Sequence, residues 1–338
     1  MMLLVALALA PNNALAGYAD VDTDGYPSWE DRDTHLWTNA ARVDPEAFES
    51  DYNDGGCSYY EDFSEDEQTP KAPLFYDRDL NEAAVYHSDD MNESGNFSHD
   101  SSDGTSFADR VGQYYNESGN IGENIAVGYG SGFNSVFIGW MCSHSGHRAN
   151  IMSGSYNELG TGVSDGYYTQ DFAAGTVDTD SAVAMGIHSP QAPSDEVSFY
   201  ADWVDDAAPA RFEVIIDGQP SALELEWGAE DQGVYALTLA ADGDGCHEYF
   251  FQYDRADGST GAFPETGSYL YGSGCEGDVD WKDRQMGVTG RDDADRATLL
   301  SRLHLVGCAT SPGVAGPGAA GLLGVAMSLA AVAGRRRT

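Results

Sequence analysis

Apolar residues recur at helical spacing in the first half of the chain and at every second position beyond residue 195. Leu36, Trp37, Ala40 and Ala41 share one face of a helix that opens at Pro27-Ser28-Trp29-Glu30 and runs to about Asp44. Leu80, Ala83, Ala84, His87 and Met91 fall at i, i+3, i+4, i+7 and i+11, which predicts a second helix with His87 as a packed face histidine. Ser106 three residues before Asp109 reads as an N-terminal capping pair. Val136, Phe137, Trp140 and Met141 form another core stripe, over 134–141. The acidic, Gly- and Tyr-rich stretch 46–72 reads as a loop. Strands are expected at 158–163, 167–173 and 182–187, where Val, Tyr and Phe lie between Gly turns. The stretch 190–195 is a linker by composition. Beyond it the strands 197–203, 212–216, 223–227, 234–239 and 248–253, with Asp217-Gly218 as a hairpin turn, predict a small antiparallel β-sandwich, immunoglobulin- or fibronectin-like. The sandwich stretch holds no catalytic cluster, so binding or spacing is its expected role.

Composition narrows the picture. The chain has 338 residues, with 16 Lys+Arg against 56 Asp+Glu, a formal charge of −40. Such a surface repels phosphates, which excludes an electrostatic nucleic-acid binder, and it disfavours docking on anionic headgroups. The 41% hydrophobic and 11% aromatic content excludes a disordered acidic tail. Residues 1–16 combine an apolar run with Ala14-Leu15-Ala16, a signal peptide with its cleavage pattern. At the other end an uncharged run, 313–334, is followed by Arg335-Arg336-Arg337. At about 1.5 Å per residue it spans a bilayer core, and the arginines stay cytoplasmic, so the bulk of the chain faces outward. That tail is either a retained membrane anchor or a removable signal. With Cys308 ahead of it, it resembles the C-terminal surface-sorting tags of myxobacteria, which implies display at the cell surface or outer membrane.

Export permits disulfides. Of the five cysteines, Cys308 belongs to the tail; Cys246 and Cys275 lie in one β-rich stretch and are expected to pair, leaving Cys57 for Cys142. No CxxC spacing exists to build a zinc ribbon. The expected organisation is therefore 1–16 signal peptide, 17–190 first domain, 191–307 β-sandwich and 308–338 tail.

Four stretches of the first domain carry possible chemistry: Phe97-Ser98-His99, Gly122-Glu123-Asn124-Ile125-Ala126, Ser145-Gly146-His147-Arg148-Ala149-Asn150-Ile151 and Tyr167-Tyr168-Thr169-Gln170-Asp171-Phe172. A Glu that orients a His makes a general base; two His plus a carboxylate can hold a divalent metal such as zinc. Structural histidines satisfy the same pattern. Separately, Asp20, Asp22, Asp24 and Gly25, with Asp31 at the twelfth position, match a calcium loop except for Asp in place of Glu at that position and Pro27 inside the loop. A solvated acidic segment is the competing reading.

In this order the four stretches resemble the CAP superfamily, the SCP-like extracellular domain of cysteine-rich secretory and pathogenesis-related proteins. Asn39-Ala-Ala-Arg42-Val-Asp-Pro45 and Pro73-Leu-Phe-Tyr-Asp77 through Met91 extend the match to about Pro27–Ala173. The resemblance implies an α-β-α sandwich with a central cleft, so that the whole chain is expected to be α+β, a CAP domain carried on a β-sandwich stalk. His99 matches the first cleft histidine and Glu123 the first cleft glutamate. The second glutamate and second histidine of the animal and plant pattern fall on Ser143 and Tyr167, so half of that tetrad is absent. Bacterial members carry the Gly-His-Arg stretch, which brings in His147. Three functions compete: a surface-displayed binding module for an extracellular lipid, glycan or protein; a secreted hydrolase, metal-assisted or not, using His99, Glu123 and His147; and a structural envelope protein. The membrane enters only through the tail.

Overall fold

The computed structural model describes residues 27–51, 63–116, 119–143, 146–177, 181–193, 195–241, 245–265, 267–272, 275 and 281–282. The signal peptide, the C-terminal tail, Cys57 and the acidic residues Asp20, Asp22 and Asp24 lie outside them. Among the described residues no helix is long and apolar enough to cross a membrane.

The first sheet has four strands in the order β1-β3-β4-β2: β1 (Phe75–Tyr76), β2 (Ile121–Val127), β3 (Glu158–Ser164) and β4 (Tyr167–Ala173). β1 runs parallel to β3 and the other pairs are antiparallel. Helices cover both faces. On one lie α1 (Trp29–Val43) and a helical segment, α5 (Gly132–Asn134), that continues as a π-helical turn over Ser135–Met141. On the other lie α3 (Arg78–Ser94) and α4 (Phe107–Tyr114). The short helix α6 (His147–Ile151) closes the β2 edge. α3 approaches β3 at Gly160 and Gly162, where any side chain would overlap the backbone of Leu80–Asn81 and Ala84–Val85.

The stretch expected as loop from 46 to 72 begins instead with helix α2 (Pro45–Asp51). Pro45 is preset for a first helical turn, Asp44 accepts from the Ala47 N–H at 3.0 Å, and buried Phe48 stacks on Phe137 at 3.6 Å. Local capping and one buried ring outweigh the acidic composition there.

Downstream, two antiparallel sheets enclose an aromatic core of Phe199, Trp203, Phe212, Tyr249, Phe251 and Tyr269, among others. One sheet has the order β5-β6-β10-β9, from β5 (Val183–Ser189), β6 (Glu196–Val204), β9 (Glu224–Gly228) and β10 (Gln232–Ala240). The other has the order β14-β13-β11-β7-β8, from β7 (Arg211–Ile216), β8 (Gln219–Ala222), β11 (His247–Asp254), β13 (Ser268–Tyr271) and β14 (Trp281–Lys282), with β12 (Thr260–Phe263) on β11. Asp217 and Gly218, both at positive φ, turn β7 into β8. Cys246 and Cys275 are joined as expected. The whole is α+β, an α-β-α layer followed by a β-sandwich.

The described residues of the α-β-α layer and of the sandwich belong to one compact unit. The strands on either side of the stretch 190–195, β5 and β6, pair antiparallel with each other, and α1 is the layer shared by both halves. Thr161 and Gln170 of the first sheet bond α1 at Asp31 O and Thr38 Oγ1, at 2.8 and 2.5 Å. From its other side Asn39 reaches Asp202 at 2.6 Å and Arg32 reaches Tyr249 at 3.2 Å. This double contact explains why a helix reading WEDRDTHLWTNAARV is buried almost throughout.

Candidate functional site

The site is built at the β2 edge. An edge strand leaves every second carbonyl unpaired. Here the Glu123 carbonyl accepts from Asn150 Nδ2 at 3.2 Å and the Ile125 carbonyl from Trp140 Nε1 at 3.0 Å. Asn124 ties the strand to α6 by donating to the His147 carbonyl at 3.1 Å, and it also donates to Gln170 Oε1 of β4 at 3.0 Å. Two of the motifs singled out in the sequence are thus fastened to each other by side-chain amides.

Strand alternation turns Glu123 to the opposite face, toward α3 and α4. The loop carrying His99 is pinned there from both ends. Gly95, at φ +67°, ends α3. Asp90 accepts from the Ser102 N–H at 2.7 Å and its hydroxyl at 2.5 Å, and Ser106 caps α4 by accepting from Asp109 N at 3.2 Å. Arg110 then donates to the His99 carbonyl at 3.0 Å and to Ser101 Oγ at 3.3 Å.

The structure brings His99 and Glu123 together: His99 Nδ1 lies 2.7 Å from Glu123 Oε1. The His99 side chain is 54% exposed and that of Glu123 1%. The other carboxylate oxygen, Oε2, accepts from Arg110, and His87 Nε2 stands 3.9 Å from it while facing the Ser98 carbonyl at 2.9 Å. His87 is therefore a packed helix-face histidine that also borders the site. Asp171 sits directly across from Glu123 in the β2–β4 register and is fully buried.

The three imidazoles differ in basicity. Its hydrogen bond to Glu123 raises His99 above the usual histidine value. Burial lowers His87, and burial followed by the nearness of His99 lowers His147. His147 is half-buried, with its Nδ1 enclosed and making no hydrogen bond.

The other sequence-derived positions fall elsewhere. Tyr167 pairs with Val127, four residues along the strand from Glu123 and so about 13 Å away at strand rise. Ser143 frames the turn before α6 through its backbone, donating to Trp140 O at 2.9 Å and accepting from Arg148 N at 3.1 Å. Asp31, the twelfth position of the calcium-loop pattern, is buried in the first turn of α1. There its Oδ2 accepts from Ser28 N at 3.0 Å in a capping box, so that oxygen is committed to the helix end. The Glu123 donor set does not fit a divalent metal. Its two oxygens are held by His99 and by a guanidinium whose charge repels a cation. Among the described residues no group of three or more His, Cys, Asp or Glu is gathered to hold one.

Arg110 lies outside the four stretches and Asp171 lies in the fourth, where motif reading gave it no role, although both carry a further signal. Arg110 shares the apolar stripe of Phe107, Val111 and Tyr114, and Asp171 shares the strand face of buried Ala173. A charge on a face that must be buried marks a partner elsewhere.

Residues 37–177 match the model of the cysteine-rich secretory protein family, CAP. The uncharacterized membrane protein YlbC of Bacillus subtilis (strain 168) is 41% identical over 101 residues, 30% of this chain and 29% of its own length. The chain thus spans under a third of that relative. Among solved structures, an extracellular protein containing a SCP domain from Bacillus anthracis str. Ames is 34% identical over 30% of this chain and 34% of its own, with a TM-score of 0.29. A cysteine-rich secretory protein from Staphylococcus aureus subsp. aureus Mu50 is 20% identical over 31% and 32%, with a TM-score of 0.27.

Proposed function

We propose that this chain is an extracellular, surface-displayed CAP-domain protein whose His99–Glu123 corner binds a ligand outside the cell, of lipid, glycan or protein chemistry. The observation that carries this reading is the pairing of a half-exposed imidazole with a buried carboxylate. Glu123 engages Nδ1, which leaves the Nε2 edge of His99 to meet a ligand. Export rests on the signal-peptide pattern, and membrane attachment on the tail. The extracellular and membrane descriptions of the relatives agree with that placement.

A second reading, a secreted hydrolase, is favoured by the same contact, since a carboxylate-oriented imidazole is half of a general-base device. In that reading the nucleophile is water. Ser98 Oγ accepts from Asp100 N at 3.1 Å, and Ser143 acts through its backbone.

The test titrates the full chain with palmitate, an N-acetylglucosamine oligomer and casein, by calorimetry and mass spectrometry. The expected outcome is saturable binding of one probe with its mass unchanged. His99→Ala should weaken that binding about five- to tenfold, the value of one hydrogen bond of about 1 kcal/mol. Product that forms with the native chain and vanishes with His99→Ala would establish the hydrolase instead. Failure to bind all three probes would defeat the binding reading.

A further inference from the structure

Two buried carboxyl groups face each other across β2 and β4. Directly opposed residues of an antiparallel pair hold their Cβ atoms about 4.5–5.5 Å apart, and Glu123 stands opposite Asp171 on the face that α3 and α4 cover. On its other side Asp171 meets Gly160 of β3, which offers no side chain. Neither Asp171 oxygen accepts a hydrogen bond from any donor, although the residue is fully buried. Its charged and titratable surroundings are Glu123 on β2, Arg110 on α4, His87 on α3 and the His99 loop beyond Glu123. Arg110 is committed to Glu123 and to the His99 carbonyl. His87 is kept neutral by burial.

An ionised carboxylate without a single donor is strongly disfavoured in such a place, and one guanidinium does not neutralise two of them. A neutral carboxylic acid needs only an acceptor, and Glu123 is the acceptor across the ladder. We infer that Asp171 is a positioning residue that carries a proton at neutral pH and donates it as a hydrogen bond to Glu123, thereby setting how strongly Glu123 pulls on His99. Burial, followed by the charge of Glu123, pushes the Asp171 carboxyl well above the ordinary range, in agreement with the geometry. The fixed charges of the corner then reduce to Arg110 and Glu123, which cancel. His99 is left as the group that changes charge near neutrality.

The inference rests on the His99–Glu123 corner being the functional site, but its test uses no ligand, so failure of one leaves the other readable. In the full chain labelled with 13C-aspartate and 13C-histidine, the Asp171 carboxyl should show the shift of a protonated acid at pH 7. Asp171→Asn, whose amide can donate to Glu123 in the same way, should leave the His99 pKa within about 0.3 unit. Asp171→Val removes a donor from Glu123 and should raise the His99 pKa. Were Asp171 ionised, both substitutions would delete a negative charge and lower the His99 pKa, by about a unit or more at this range. A carboxylate shift for Asp171 at pH 7, or that common downward change, would overturn the inference. If a substituted chain does not fold, the carboxyl shift of the unaltered chain still decides.

Discussion

Two of the polar clusters buried among the described residues differ in one respect. At the β2 edge, Glu123, Arg110, Asp171 and His87 form an enclosed set that reaches solvent through His99. Around α1, the residues Arg32, Asn39, Asp202, His188 and Tyr249 form another, with each of them sealed. In the α1 cluster Asn39 binds Asp202, Arg32 lies 3.9 Å over the Tyr269 ring, and His188 Nδ1 meets the Tyr249 hydroxyl at 2.9 Å. Burial of charge alone does not mark a functional site, because the α1 cluster buries as much and shows nothing to a ligand. What separates them is the single side chain that carries the network to the surface. The α1 cluster joins the two halves of the protein; the β2 cluster offers an imidazole.

The contrast can be broken or sharpened by experiment. The largest stability change is expected from Asn39→Ala. Asn39 donates to Leu74 O at 3.0 Å and to Asp202 at 2.6 Å, and it accepts from Leu74 N at 2.8 Å. Leu74 O keeps its contact with His35 Nε2 at 2.8 Å, but leaving Asp202 and Leu74 N buried without that partner should cost about 3–5 kcal/mol, a drop in Tm on the order of 10 °C by calorimetry. Probe binding at His99 should be unchanged at temperatures where the chain is folded. A drop under about 2 °C would show that α1 does not hold the halves together.

The next effect is alkaline. Burial raises the Asp202 carboxyl to about 8. A carboxyl raised on folding contributes stability that is full below its unfolded value near 4 and is lost as pH rises through about 8. Between pH 6 and pH 9 the chain should lose about 3 kcal/mol, and Asp202→Asn should flatten that limb of the Tm profile. On the acid side, burial and then the Arg32 charge depress His188 to about 3. Its contribution is present above pH 6.5 and lost as pH falls toward 3, so His188→Gln should soften the acid limb by a smaller amount. Unchanged profiles in both variants would remove the α1 cluster from the pH response.

Ser106→Ala deletes the α4 cap and should cost about 1 kcal/mol. It should also loosen His99, whose carbonyl is held by Arg110 on that helix, read as faster amide exchange at 99–101. The smallest stability effect belongs to His99→Ala, within about 0.5 kcal/mol because the ring is half outside. If this variant unfolds, the β2 cluster is as structural as the α1 cluster and the contrast disappears.

Much of the fold was legible along the chain. The i, i+3, i+4 stripe of Leu80–Met91 became α3, period-two alternation became the strands of the sandwich, and Ser106 with Asp109 capped α4, because each of these signals is local. The strand 121–127 escaped, since Gly122, Glu123 and Asn124 weaken its alternation, and it stands as a strand through pairing with β4. α2 was hidden by acidic composition. Of the site, His99, Glu123 and Asp171 all lie in the motif set, but only His99 and Glu123 were assigned a role; Asp171, and Arg110 outside the set, stood out as charges on faces that had to be buried.

The chain by itself determined which faces would be apolar, where the helices would begin, and that an imidazole and a carboxylate on distant motifs were candidates for one corner. Only the tertiary structure decided that Tyr167 stays along the strand from that corner, that Asp171 stands across from Glu123, and that polar α1 is buried by sheets on both sides. Periodicity and capping act over a few residues and are written in sequence order. Strand register and helix docking depend on contacts among segments tens to more than a hundred positions apart, and those are settled by how the surfaces fit.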